Sequence, residues 1–342
     1  MPDTHDAMLW EKLDGQKVRC DLCGHRCEIA AGQYGICRVR ENVAGQLRTH
    51  SFGPLVALNP DPIEKKPLFH FLPGTRSLSI AAAGCNFQCE FCQNWQISQS
   101  PREQPDMRGG HAVSPPQIVS AARQFDCASI SYTYTEPTIF FELAYETARL
   151  ARGEGLGNCF VSNGYMTRAA IEKIAPHLDA INVDLKAFRD ETYRRIMKAR
   201  LQPVLDSLKA LVEAGIWVEV TTLVVPGMND SPEELGDIAA FIATELGPDV
   251  PWHVSRFHAD YKMDDGVTTP LSTLQLACEK GRQAGLRHIY CGNVHGQADE
   301  RTYCPNCGAV VIDRAGFSIR AVNIKENACP ACGQAISGVF EL

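Results

Sequence analysis

The chain has 342 residues, 45% of them hydrophobic, which is enough for one large domain, or a domain with appendages, around a sizeable core. A formal net charge of -7 argues against general nucleic-acid binding, and no apolar run reaches the roughly 20 residues of a membrane-spanning helix. Fifteen cysteines, behind an amino terminus with neither a basic n-region nor an apolar h-region, favour metal ligation in a reducing cytoplasm over a disulfide framework.

The cysteines divide the chain into an N-terminal Cys-rich segment (1–75), a central core (76–297) and a tail (298–342). The first segment carries Cys20, Cys23, Cys27 and Cys37. Four thiolates suit zinc or a four-iron cluster, and neither spacing nor composition separates the two.

The core reads as repeated βα units. Strands are predicted over 77–83, 128–134, 158–162, 180–185, 217–225, 253–257 and 288–291. Helix starts are marked by Ser114 before Pro115 and Pro116, and by Ser231 before Pro232. After Ser231, the residues Leu235, Ile238, Ala239, Ile242 and Leu246 share one face at helical spacing and are expected in the core. Cys127 and Cys159 fall at strand starts and are read as small core residues.

Between the first two strands lies Ala83-Gly84-Cys85-Asn86-Phe87-Gln88-Cys89-Glu90-Phe91-Cys92. The spacing is CxxxCxxC, three thiolates where an ordinary four-iron cluster uses four, which would leave one iron without a protein ligand. The triplet sits at the carboxyl end of a predicted strand, where α/β barrels place their chemistry. In the tail, Cys304-Pro305-Asn306-Cys307-Gly308 and Cys329-Pro330-Ala331-Cys332-Gly333 form two knuckles with zinc-ribbon spacing. Such a closed site is expected to be structural and to hold a tail too short for its own core.

The cysteine triplet, with the aromatic Phe91 before its third member, resembles the radical SAM superfamily. The resemblance implies a [4Fe-4S] cluster on Cys85, Cys89 and Cys92, with S-adenosylmethionine chelating the open iron. It also implies an α/β fold, a partial barrel of six or seven βα units. Tyr134-Thr135-Glu136-Pro137 resembles the family's Gly-Gly-Glu segment. Glu136 is thereby expected to accept hydrogen bonds from the cofactor's ammonium, with Thr135 standing where a glycine is usual, although a negative charge also suits the start of the helix that follows.

Ser162-Asn163-Gly164-Tyr165 and Asp184-Leu185-Lys186 resemble the activating-enzyme branch, the group that includes pyruvate formate-lyase activating enzyme. Asn163, Asp184 and Lys186 are the implied cofactor contacts, and Val161 departs from an acid frequent in that branch. Val224-Val225-Pro226-Gly227 resembles a segment that packs on the adenine, implying Val225, although a turn after a buried strand accounts for it equally well. Arg256-Phe257-His258 occupies the place of a histidine-bearing segment, implying His258.

The order of the pieces over the whole chain resembles the radical SAM member of the AmmeMemoRadiSam system. The activity implied is reductive cleavage of S-adenosylmethionine to methionine and a 5'-deoxyadenosyl radical that acts on an unidentified substrate, with activation of a glycyl-radical enzyme as one outlet. A low-potential electron donor and AMMECR-type and Memo-type partner proteins are implied with it. Because the extra cluster domains of some activating enzymes carry more cysteines, a single closed zinc site is the plainer reading of the N-terminal set. No general acid or base is assigned beyond the cluster. The alternative is an iron-sulfur or zinc protein of electron transfer, or an adaptor, without this cofactor chemistry.

Overall fold

The computed structural model describes residues 4–103, 110–294 and 299–342. An eight-stranded sheet organises it: β1 (Ala57–Pro62), β2 (Arg76–Ala81), β3 (Ser129–Tyr132), β4 (Gly157–Ser162), β5 (Ala180–Asp184), β6 (Trp217–Val224), β7 (Trp252–Arg256) and β8 (Ile289–Gly292). Sequence neighbours are spatial neighbours throughout, and β2 to β8 run parallel. The seven strands expected from the sequence are these seven. β1 was not expected; it comes from the N-terminal segment and pairs antiparallel with β2, Ala57 opposite Ala81 and Pro62 opposite Arg76.

Parallel pairing requires crossovers. They are supplied by α1 (Pro115–Gln124), α2 (Phe141–Gly153), α3 (Arg168–Ile174), α4 (Gln202–Glu213), α5 (Pro232–Phe241) and α6 (Leu271–Gln283). Ser114 and Ser231 are N-caps, the first in a capping box with Gln117 and the second accepting from Glu234 N–H. The apolar stripe after Ser231 is buried over its whole length. Strands covered on both faces read as nearly continuous buried runs, as parallel sheets demand. Outer positions such as Leu78, Ile80 and Ile130 join the main core. Alternate positions are small and polar: Ser77 Oγ lies 2.5 Å from Ser131 Oγ, and Ser131 Oγ lies 3.0 Å from Cys159 Sγ.

The amino ends of the strands are plugged by the segment after β1. Ile63, Leu68, Phe71 and Leu72 pack on Cys159 and Ala180, and Asn182 Nδ2 donates to Pro67 O at 2.7 Å. Glu219, wholly buried on β6, accepts the N–H groups of Phe69 and His70 at 2.9 and 2.8 Å. Burial alone would raise the Glu219 carboxyl, but His253 at 2.6 Å, His70 and the Phe69 amide hold it below its ordinary value. The tail, with β9 (Thr302–Tyr303), β10 (Val310–Ala315) and β11 (Ser318–Val322), straps this plug. Arg314 donates to Phe69 O and stacks on its ring, while Val339 N–H donates to His70 O and Val339 O accepts Leu72 N–H, both at 2.8 Å.

Residues before β1 form short antiparallel ribbons docked on the same core. Arg40 makes a buried ion pair with Glu142 of α2, whose carboxylate also accepts Met8 N–H at 2.7 Å. Cys23 bridges to Met166, and Gly24 N–H donates to Tyr165 O. Among the described residues no helix is long and apolar enough to cross a membrane.

Candidate functional site

After β2 the chain turns at Gly84, whose φ of +112° is open to glycine and strained for other residues. A Cβ there would stand 3.0 Å from Val39 Cγ1. The cysteine loop that follows is pinned at several points. Phe87 packs edge-on against Tyr165 and Tyr193, Gln88 N–H donates to Met197 O, and Arg102 Nη2 donates to Cys85 O at 2.6 Å. Phe87 N–H points at Cys85 Sγ from 3.4 Å, and Ser98 Oγ lies 3.2 Å from Cys92 Sγ.

A cavity of about 600 Å³ opens beside this loop, and its lining includes Cys85, Cys89, Cys92, Glu136, Asn163 and Lys186. Thr135 and Asp184 line it as well. The volume falls in the range of small-molecule sites. Val225 and His258 lie outside the lining. Val225 is buried at the end of β6 with its N–H donated to Asn229 Oδ1, and His258 is exposed.

Glu136 is buried, and its carboxylate is the hub of the strand ends. Oε1 accepts from Thr138 N–H (3.0 Å), Thr138 Oγ1 (2.5 Å) and Ser162 Oγ (2.8 Å), and Oε2 from Asn163 N–H (2.8 Å). It therefore also caps the turn Pro137–Phe140. With one bond, Oε2 keeps capacity for another donor. Burial raises the Glu136 carboxyl, against the pull of those four donors. Asn163 Nδ2 reaches back to Asn86 Oδ1 at 2.7 Å, tying β4 to the cysteine loop.

Lys186 Nζ pairs with Asp184 Oδ2 at 2.8 Å. Burial would depress this ammonium, but Asp184 and the Cys89 thiol outweigh it and its affinity for the proton rises. Asn229 Nδ2 holds Lys186 O at 2.8 Å, joining the turn after β6 to the same wall. Burial pushes the Cys89 thiol up to about 12, so its thiolate needs a cationic centre to form. The three sulfurs do not all lie within 4.8 Å of one another. A single tetrahedral zinc would bring its sulfurs to about 3.8 Å apart, whereas a cluster gives each thiolate its own iron. The donor set and its spread thus fit a four-iron cluster, and the adjoining cavity, with a carboxylate and an ammonium on its walls, fits an amino-acid-bearing cofactor.

Several further lining residues carry no signal in the sequence, Lys65, Lys66 and Phe317 among them. Lys65 and Lys66 follow β1, and both bond Asp61, at 2.9 and 2.7 Å. Lys66 is buried and sits 4.5 Å from the centre of the Tyr134 ring, whose hydroxyl also donates to Asp61. Phe317, exposed between β10 and β11, reaches the cavity from the tail.

The tail quartet Cys304, Cys307, Cys329 and Cys332 has all four sulfurs within 4.8 Å of one another, with 3.6 Å from Cys304 to Cys332 and 3.7 Å from Cys307 to Cys329. This group can hold a metal ion. The N-terminal quartet lines a second, smaller cavity.

Comparison with known proteins agrees with this geometry. The model of the radical SAM superfamily matches residues 79–242. An uncharacterized protein of Methanocaldococcus jannaschii is 44% identical over 337 residues, 98% of this chain and 99% of its own. A pyruvate formate-lyase-activating enzyme of Clostridium pasteurianum is 23% identical over 56% of this chain and 84% of its own. Among solved structures, a radical SAM methyltransferase from Sphaerobacter thermophilus shares the fold, with a TM-score of 0.50 at 15% identity over 73% of this chain and 72% of that one. With three cysteines, a cofactor-sized cavity and a matching parallel sheet in one place, the chain belongs to the radical SAM superfamily.

Proposed function

We propose that the chain is an enzyme that binds S-adenosylmethionine against a [4Fe-4S] cluster on Cys85, Cys89 and Cys92 and directs the resulting radical onto a substrate in the same cavity. The observation that carries this reading is that the three thiols, Glu136, Asn163 and Lys186 line one cavity although they come from four different loops. When bound, the cluster and cofactor supply one-electron cleavage to methionine and a 5'-deoxyadenosyl radical.

The protein's own residues bind and orient. In this reading Glu136 accepts the cofactor's ammonium, and Lys186 meets its carboxylate or ribose oxygens as a point charge. The plug of residues 63–72 and the tail strap close the amino end of the barrel and keep water from the cavity. In this reading residues 1–75 and 298–342 are appendages that seal a core of 76–297. The tail quartet holds structural zinc, a low-potential one-electron donor supplies the cluster, and the compartment is the cytoplasm.

Activation of a glycyl-radical enzyme is one outlet, supported by the likeness to the Clostridium activating enzyme. AMMECR-type and Memo-type proteins are the proposed partners, from the order of motifs along the chain. The test is anaerobic reconstitution with S-adenosylmethionine and a low-potential reductant. Wild type is expected to release 5'-deoxyadenosine well above a Cys85→Ala control. Equal release by the two would leave an electron-transfer or adaptor role instead.

A further inference from the structure

The N-terminal quartet differs from the tail quartet in a way that bears on its metal. In the tail, four sulfurs gather within 4.8 Å, close to the spacing of about 3.8 Å that a tetrahedral zinc with bonds of about 2.3 Å imposes. Among the described residues no other three His, Cys, Asp or Glu ligand atoms gather so closely. No three of Cys20, Cys23, Cys27 and Cys37 do, yet all four line one cavity. They share this wider spread with Cys85, Cys89 and Cys92.

The cavity wall carries a second indication. Arg40 and Asn86 both line it and both are about 1% exposed. Arg40 Nη1 donates to Cys20 Sγ at 3.1 Å, while Arg40 Nε and Asn86 Nδ2 have no hydrogen-bond partner. A buried donor without an acceptor is costly. The bridging sulfides of a cluster are acceptors that a lone zinc ion does not bring. The rest of the wall is largely apolar, with Leu22, Ile29, Ile36 and Ile139.

We propose that Cys20, Cys23, Cys27 and Cys37 ligate a second [4Fe-4S] cluster, not zinc, with Arg40 Nε and Asn86 Nδ2 donating to its sulfurs. The site adjoins the first. Asn86, which lines it, follows Cys85 directly; His25 Nε2 donates to Asn86 O at 2.9 Å; and one guanidinium, Arg102, holds both Ile36 O (2.9 Å) and Cys85 O (2.6 Å). Two one-electron centres therefore flank Asn86.

The assignment rests on reading Cys85, Cys89 and Cys92 as the ligands of the first cluster, and metal analysis tells the two apart. The deciding sample is the full chain carrying Cys85→Ala, Cys89→Ala and Cys92→Ala, reconstituted anaerobically. It is expected to retain about four irons and about four sulfides with a [4Fe-4S] Mössbauer signature, and to lose them when Cys23→Ala and Cys27→Ala are added. A triple variant without iron, whether its quartet holds zinc or nothing, overturns the proposal. Wild type with about eight irons supports both sites; about four irons, unchanged in the triple variant, leaves the quartet standing and sinks the central triplet. Should the triple variant not fold, Cys23→Ala alone decides: loss of about four irons at constant zinc supports the proposal, and loss of zinc at constant iron overturns it.

Discussion

Glu136 Oε2 accepts the backbone N–H of Asn163 at 2.8 Å, so one buried carboxylate joins the tips of β3 and β4 beside the cysteine loop. Two substitutions separate its structural role from the proposed contact with the cofactor. Glu136→Ala strands buried donors of Thr138, Ser162 and Asn163 and is expected to cost about 3 kcal/mol in urea denaturation. Glu136→Gln preserves the shape and is expected to cost less stability, while weakening S-adenosylmethionine binding about 10- to 100-fold through loss of a charge-assisted bond. Equilibrium dialysis on reconstituted protein is the measurement. A folded Glu136→Gln variant with wild-type affinity would remove Glu136 from the ammonium site.

Asp61 sets an acid sensitivity. Burial would raise its carboxyl, but Lys66, Tyr134 and Lys65 together hold it well below the ordinary range. A depressed folded value contributes stability that is present above the unfolded pKa of about 3.9 and is lost as pH falls toward the folded one. At pH 7, Asp61→Asn leaves the buried Lys66 unpaired and is expected to be less stable by about 3–5 kcal/mol. Urea midpoints followed downward in pH should converge, wild type losing stability below about pH 4 while Asp61→Asn stays flatter. Parallel curves would show that Asp61 titrates normally.

The tail quartet makes a separable claim. Cys304 is buried beside Val311, Cys329 and Ile336 in a small apolar cluster. Cys304→Ala is expected to lower zinc content and loosen the tail, leaving the absorption of the central cluster in place. Unchanged zinc by metal analysis would sink the ribbon assignment.

Phe317 is exposed, yet it lines the cavity from the far end of the chain. Its truncation to Ala is expected to shift stability by no more than about 0.5 kcal/mol. With the mouth widened, the cluster's visible absorbance should bleach faster in air. Equal bleaching rates would place Phe317 outside the access route.

Much of this site is local in sequence, and that is why it can be read there. The triplet is a spacing within eight residues, and Glu136, Asn163 and Lys186 each follow a β-rich run that ends at the same edge of the sheet. β1 hides because Pro60 and Pro62 argue against a strand, and prolines are tolerated at a sheet edge, which is where β1 lies. Lys65 and Lys66, which follow this strand, are hidden for the same reason. Phe317 meets the cavity through tertiary packing that no periodicity encodes. His258 sits in the expected stretch after β7, but its side chain is exposed, a matter of backbone direction in an irregular loop that the sequence pattern does not set.

The strap between the plug and the tail also orders events during synthesis. His70 and Leu72 bond Ser337 and Val339, partners separated by 267 residues in the case of His70 and Ser337. At about 5–20 residues per second, the ribosome exposes the plug well before the residues that fasten it. The amino end of the barrel is thus the last part to be secured, and the contacts that fasten it are among the most distant in sequence.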